Sequence, residues 1–389
     1  MKYTKIVLFI FFISVAFIFG CKLFQSNDSD SEEYFPLLHI EANNYYDLGY
    51  AIGEGFFTQI LTALDRQTDL IATIQSIIAI DSVYFYNNLV AAAEAQFPDY
   101  VQEIHGAADA IGVEHETLMT LNLFGDILAL FYGAREQVCY EIPSAPFGCS
   151  TVSYNYNGMQ YLAHNEDGFA QLGDLMGVVK AKIPGKPEFI NFYYPGLLCG
   201  IAPALTDAGL AFSGNYIQSA SGVLGGVPHL FIFRALLEAE DVDDAISIIQ
   251  NTLTCNALHI NIASDTENRV VSVEKADNIT VVYEVEGLYA HTNHFIQDAL
   301  LAYPTDDDAT THWRYDTLTG LIAPYEDNLE DVSCDVLRGF LCEVAAEPDT
   351  TGGLTGGMTL GSSIINMESG KWKLYFNDPN DNLYQILKF

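Results

Sequence analysis

Pro146-Phe147-Gly148-Cys149-Ser150-Thr151-Val152, then Asn157-Gly158, then Ala163-His164-Asn165-Glu166-Asp167-Gly168 make up the stretch that decides the fold. Asn-Gly between alternating runs at 149–155 and 159–165 is a strong two-residue hairpin signal, because both positions of the favoured turn need positive φ. A two-residue turn sets Cys149 opposite Glu166, whereas a three-residue loop closing 156 on 160 sets it opposite Asp167. A one-residue slip flips every side chain, so the pairing alone leaves both carboxylates open. A cysteine that opens a strand after a glycine suits one mechanism in particular. Breaking the Gly148–Cys149 bond gives Cys149 a free α-amine, whose reference pKa of about 8 lets it take the thiol proton. Nucleophile and base then share one residue, and glycine at 148 leaves the attacked carbonyl sterically open.

Outward from this hairpin the period changes. From Asn44 to about Phe131, apolar residues recur at spacings of three and four, punctuated by Gly53, Gly55, Pro98 and Gly112, which predicts three or four helices. After the hairpin, strands are expected at 178–183, 189–193 and 209–215, then helices at 228–239 and 242–252. Strands follow at 257–263, 270–275 and 280–284, helices at 311–322 and 332–344, and closing strands at 362–366, 372–376 and 383–388. Helices before, between and after two antiparallel blocks predict an α+β layered domain. Gly352-Gly353 and Gly356-Gly357 mark a loop.

The chain has 389 residues, half of them apolar, with 51 acidic against 16 basic side chains and a net charge of −35. That composition excludes a wholly disordered chain. It also argues against nucleic acid as a partner, since no basic stripe exists to release counterions. Lys2 and Lys5 precede an apolar run from Ile6 to Phe19, and Ile18-Phe19-Gly20-Cys21 resembles a bacterial lipobox. Residues 1–20 are expected to be a lipoprotein signal and Cys21 the lipidated residue. Residues 21–33, polar and acidic, are expected to form a tether, with a helical pro-region over 34–148 and the catalytic region over 149–389. The protein is then exported and held to a cell or outer membrane surface by lipid. Of seven cysteines, Cys21 and Cys149 are accounted for, and the odd remainder leaves at least one unpaired thiol. Cys334 and Cys342 are expected to be buried apolar filler.

A second cluster is Ala290-His291-Thr292-Asn293-His294-Phe295. Asn293 carries an amide donor suited to a developing oxyanion, and Asn215, at the end of a predicted strand, is a second candidate, with Asn165 and His291 as further polar groups. His291 and His294 lack the intervening Glu or nearby ligands of a zinc motif, so no metal is expected.

Together these residues resemble the acyl-coenzyme A:6-aminopenicillanic acid acyltransferase (isopenicillin N acyltransferase) group of N-terminal-nucleophile hydrolases, relatives of choloylglycine hydrolases and acid ceramidases. The likeness runs through Tyr46–Gly53, Phe97-Pro98-Asp99-Tyr100 to Glu103-Ile104-His105-Gly106, Leu121-Asn122, Gly148-Cys149-Ser150-Thr151 and Asn165-Glu166-Asp167. It continues in Gly226-Val227-Pro228 with Arg234, and is most specific at His291-Thr292-Asn293-His294. It implies a four-layer αββα fold, self-cleavage between Gly148 and Cys149 into two chains that stay associated, Cys149 as acyl acceptor, Asp167 as orienting carboxylate and Asn293 in the oxyanion hole. The acyltransferase members carry a serine and an arginine near the C-terminal strand, and 352–361 has no arginine. The expected function is therefore amide (or thioester) hydrolysis or acyl transfer on an acylated small molecule or peptide, with no cofactor. The alternatives are an inactive surface lipoprotein of the same fold that binds an acylated or aromatic ligand, and a metalloenzyme using His291 and His294.

Overall fold

The structure is a computed structural model that describes residues 34–134, 148–305, 310–346 and 357–389. The expected leader, the tether with Cys21, Cys139 and the Gly352-Gly353 loop lie outside the described residues. Strand β1 (Leu37–Glu41) leads into six helices: α1 (Tyr45–Gly55), α2 (Phe57–Arg66), α3 (Thr68–Ile80), α4 (Asn88–Gln96), α5 (Pro98–Ile111) and α6 (His115–Gly133). The hairpin β2 (Gly148–Tyr156) and β3 (Met159–Phe169) follows, then β4 (Gly177–Lys182), β5 (Phe189–Tyr193), β6 (Ala204–Thr206) and β7 (Leu210–Tyr216). Helices α7 (His229–Leu236) and α8 (Val242–Gln250) precede β8 (Leu258–Ser264), β9 (Arg269–Ala276), β10 (Ile279–Glu284) and β11 (Gly287–His291). The chain ends with α9 (Thr311–Ile322), α10 (Cys334–Val344), β12 (Gly357–Asn366), β13 (Lys371–Phe376) and β14 (Tyr384–Leu387).

Two sheets form. One has eight strands in the order β1-β4-β5-β6-β7-β8-β9-β10, the other six in the order β11-β2-β3-β12-β13-β14. All neighbours are antiparallel except β1 against β4. The sheets lie face to face, β2 and β3 against β7, β8 and β9, with α9 and α10 over the outer face of the smaller sheet and α8 over β8–β10 of the larger. This is the four-layer αββα sandwich.

The hairpin turn sets the register of the site. Asn157 and Gly158 have φ of 49° and 82°, the two-residue mirror-image turn, so Tyr156 pairs with Met159 and Cys149 with Glu166. Period-two alternation then separates the faces. Cys149, Thr151, His164 and Glu166 face the larger sheet, where Thr151 Oγ1 donates to Asn215 Oδ1 at 3.0 Å. Val152, Tyr154, Tyr161 and Ala163 face the other way, into an apolar cluster with Leu318, Ile322, Leu337 and Leu341 of α9 and α10.

Several expectations are corrected. The N-terminal block has six helices, not three or four, because the breaks at Gln67 and Asp81 carry no proline or glycine, and the one at Phe56, although it follows Gly55, is a single residue. Strands β1 and β6 lie outside the expected strand ranges. Cys334 and Cys342 are half-buried free thiols on α10 and not core filler. Among the described residues no single helix is long and apolar enough to cross a membrane.

Candidate active site

Cys149 sits at the mouth of the inter-sheet layer, 4% exposed. Its backbone N–H donates to Asn293 Oδ1 at 2.8 Å, and its Sγ lies 3.8 Å from Glu166 Oε1. Asn293, just past the end of β11, is held from both sides: its Nδ2 donates to the Tyr216 carbonyl at 2.8 Å and its N–H donates to Thr311 Oγ1 at 2.8 Å. Thr311 opens α9, and one turn later Arg314 presents its guanidinium, 3% exposed. Nη1 of Arg314 donates to the Cys149 carbonyl at 2.5 Å and to Ser150 Oγ at 3.0 Å, while Nη2 donates to Asn293 Oδ1 at 2.8 Å. One planar fork thus fixes both the residue that would attack and the amide that grips its nitrogen.

The two carboxylates take separate places. Glu166 shares the Cys149 face; its Oε1 accepts from the Tyr194 hydroxyl at 2.7 Å and its Oε2 lies 3.0 Å from His164 Nε2. Asp167 pairs with Gly148, and its Oδ1 accepts from Thr359 Oγ1 at 2.6 Å. A Cβ on Gly148 would come within 3.0 Å of Arg314 Nη2 and 3.4 Å of Asp167 Oδ2, so the glycine keeps this corner open. Burial pushes the Cys149 thiol well above its ordinary range, and Glu166 and Asp167 push it further. Within the intact chain the sulfur therefore needs a nearby base in order to attack.

Burial also lifts the Asp167 carboxyl to about 6, against the opposing pull of Arg314 and the Thr359 hydroxyl. A carboxyl whose folded pKa exceeds its unfolded value binds its proton more tightly when folded. It therefore adds stability below about pH 4 that is lost as the pH rises through about 6. Asp167→Asn should remove that loss, so its melting temperature relative to the parent is expected to be higher at pH 7.5 than at pH 4. A difference independent of pH would show that folding does not shift the Asp167 pKa.

The other sequence candidates fall elsewhere. Asn165 donates to the Leu341 carbonyl at 2.9 Å and accepts from Ser362 Oγ at 2.6 Å, tying β3 to α10 and β12. Asn215 Oδ1 accepts from Thr151 and lies 2.9 Å from His259 Nδ1. His291 stacks on His259 with centroids 3.3 Å apart and sets its Nε2 2.9 Å from Glu274 Oε1. His294 Nδ1 lies 2.9 Å from Thr311 Oγ1, so the two histidines of that segment serve different partners. Among the described residues one trio has metal-capable atoms within 4.8 Å of one another, Cys149, His164 and Glu166, and within it Glu166 already pairs with His164. Arg314 was missed. The signal available was that it is the sole arginine between Arg269 and Arg338 in a strongly acidic chain.

Next to Cys149 opens a small pocket, a cavity of about 30 Å³, walled by Cys149, Glu166 and Asp167 from the hairpin, Tyr194 and Tyr216, and Phe124 and His229 from the helical side. Two facing antiparallel sheets between helix layers, with a cysteine opening the central hairpin, define the N-terminal-nucleophile hydrolase class of fold. The family model for acyl-coenzyme A:6-aminopenicillanic acid acyl-transferase matches residues 154–381, and the chain belongs to that family. The match begins just after Cys149 and contains Asp167, Asn293 and Arg314. The chain is also 30% identical over 229 residues to the beta-alanyl-dopamine/carcinine hydrolase of Drosophila melanogaster, an alignment that covers 56% of this chain and 57% of that protein's length.

Proposed function

We propose that this protein is an N-terminal-nucleophile cysteine amidase or acyltransferase that matures by cutting itself between Gly148 and Cys149. The observation that carries the reading is the Asn293–Arg314 clamp, which holds the nitrogen and carbonyl of the one residue whose thiol opens on the pocket. In maturation, Cys149 Sγ attacks the Gly148 carbonyl carbon, the C–S bond forms as the C–N bond breaks, and the thiol proton passes to the departing nitrogen. Water then hydrolyses the thioester, which releases the Gly148 carboxylate and restores the thiol. In turnover the freed α-amine takes the thiol proton, Sγ attacks an amide carbonyl, and the Asn293 amide stabilises the oxyanion. The α-ammonium protonates the leaving amine, and water or an acceptor amine discharges the thioester. The two chains stay together through the pairing of β1 with β4, the buried Arg234–Glu103 ion pair and the packing of α6 against α7.

The matched relative suggests the substrate class, an aminoacyl group joined by an amide to a small aromatic amine, and the pocket supports it with the Glu166 carboxylate beside the thiol and an aromatic wall. The Ile18-Phe19-Gly20-Cys21 sequence supports export and attachment to a membrane surface through lipid on Cys21. The test is to incubate the purified protein with β-alanyl-dopamine or carcinine and follow release of the free amine. Release by protein cleaved at Cys149 is expected. Cleaved protein that releases amine from neither these nor other acyl amides would favour the inactive ligand-binding alternative.

A further inference from the structure

The pocket has a polar group at its helical side that the proposed chemistry does not use. His229, the first residue of α7, is 1% exposed and comes to the pocket wall from a different element than the nucleophile hairpin. Its partner is Asp126 of α6, which is fully buried. The His229 backbone N–H, an orphan donor of the helix N-terminus, donates to Asp126 Oδ1 at 3.2 Å, and His229 Nδ1 lies 2.8 Å from Asp126 Oδ2. The carboxylate therefore serves both as helix cap and as orienter of the ring, fixing the proton on Nδ1.

The second ring nitrogen, Nε2, makes no hydrogen bond to another described residue; the bonds of His229 run through its backbone N–H and Nδ1. Nε2 is not one of the sealed unpaired polar atoms of the core; the ring that carries it lines the cavity containing Cys149, where a ligand can reach it. The fold makes room for this arrangement. A Cβ at Gly125 would meet His229 Cε1 and Tyr216 Oη at 2.9 Å each, so only glycine lets α6 approach the ring closely enough for Asp126 to reach Nδ1. Apart from His229 and the hairpin's Cys149, Glu166 and Asp167, the pocket wall is aromatic and apolar: Phe124, Tyr194, Leu197, Ile201 and Tyr216.

Resting on the amidase reading and deepening it, we propose that the Asp126–His229 pair is the specificity-determining element for the leaving amine. His229 Nε2 accepts a hydrogen bond from a hydroxyl or ring N–H carried on the aromatic end of the substrate. The thiol end of the pocket then handles the acyl group, and the histidine end reads the amine. A site built around such an acceptor penalises the analogue that lacks the donor, because the bound ring then covers Nε2 without pairing it.

The experiment compares β-alanyl-tyramine with β-alanyl-phenethylamine, which differ in one ring hydroxyl. Cleaved wild-type protein is expected to favour the hydroxylated amide by about 10- to 100-fold in kcat/KM. His229→Phe should bring the two within about 3-fold of each other, mainly by losing rate on the hydroxylated amide, and His229→Gln, which keeps an acceptor, should retain part of the preference. No preference in the wild type, or an equal fall on both amides in His229→Phe, would overturn the proposal. Should the variants not fold, calorimetry of tyramine against phenethylamine on the wild-type protein decides the same question, with at least about 10-fold tighter binding of tyramine expected and equal binding contradicting it. That comparison also separates the two readings: no turnover of either amide counts against the amidase, while unequal amine binding still upholds the role of His229.

Discussion

Cys149→Ala is expected to accumulate as one uncut chain across Gly148–Cys149 and to show no turnover above background, a loss of about 10⁴-fold or more. The loss is this complete because the substitution removes the nucleophile and also prevents the base from appearing. Without cleavage the nitrogen of residue 149 stays an amide, bonded to Asn293 Oδ1, and has no lone pair to accept a proton. Among the described residues no other thiol is placed to substitute: Cys199 and Cys255 are buried in the apolar core, where burial pushes both well up from the ordinary thiol range, and Cys334 and Cys342 lie on α10, away from the pocket. Cys149→Ser keeps an attacking oxygen in the same clamp, so it should cut itself slowly, and N-terminal analysis over hours to days is the measurement. Unaltered turnover in Cys149→Ala with native circular dichroism would remove the sulfur from the mechanism.

Asn293→Ala and Arg314→Met are expected each to lower kcat by about 10²- to 10³-fold, the range seen when one preorganised oxyanion donor is lost. The two effects should not add. Arg314 Nη2 bonds the same Asn293 Oδ1 that holds the Cys149 nitrogen, so removing either partner disorganises the other, and the double variant should be within about 10-fold of the worse single one. Arg314→Lys keeps the charge but not the fork that bridges the Cys149 carbonyl, Ser150 Oγ and Asn293, so it should recover little of the loss. Because Arg314→Met leaves the buried Cys149 carbonyl and Asn293 Oδ1 short of a donor, it is also expected to lower stability, by about 1 to 3 kcal/mol; a thermal melt separates that effect from the kinetic one. Fully multiplicative effects on kcat would mean that the two residues act independently.

The hairpin was legible because its turn is a local property: Asn157-Gly158 can take two positive φ values cheaply. Its one-residue register was not, since a two- and a three-residue loop were both open, and the structure alone settles the Cys149–Glu166 pairing and the division of faces. Helix limits marked by covalent punctuation were equally legible, as at α5, where Pro98 lies in the first turn and Gly112 takes φ of 75° at the end. Likenesses at Tyr46–Gly53 and at Glu103–Gly106 also have a physical basis. Gly49 and Gly106 stand where a Cβ would strike the Glu103 and Tyr46 carbonyls, so α1 and α5 touch through them, and Arg234 of α7 reaches Glu103 at 2.9 Å. What was not legible depends on distant partners. β1 exists because β4, some 140 residues on, pairs with it in parallel, and the three residues of β6 only bridge β5 and β7. Arg314 reads in sequence as an ordinary cation on a helix, and only the packing of α9 against β2 and β11 turns it toward Cys149.

The most direct test is N-terminal sequencing, with intact mass under denaturing conditions, of the purified wild-type protein that hydrolyses an amide. A chain that begins Cys-Ser-Thr-Val at residue 149 and ends at Phe389, alongside a separate chain ending at Gly148, is the predicted result. Active protein whose only species runs unbroken through Gly148 and Cys149 would contradict it.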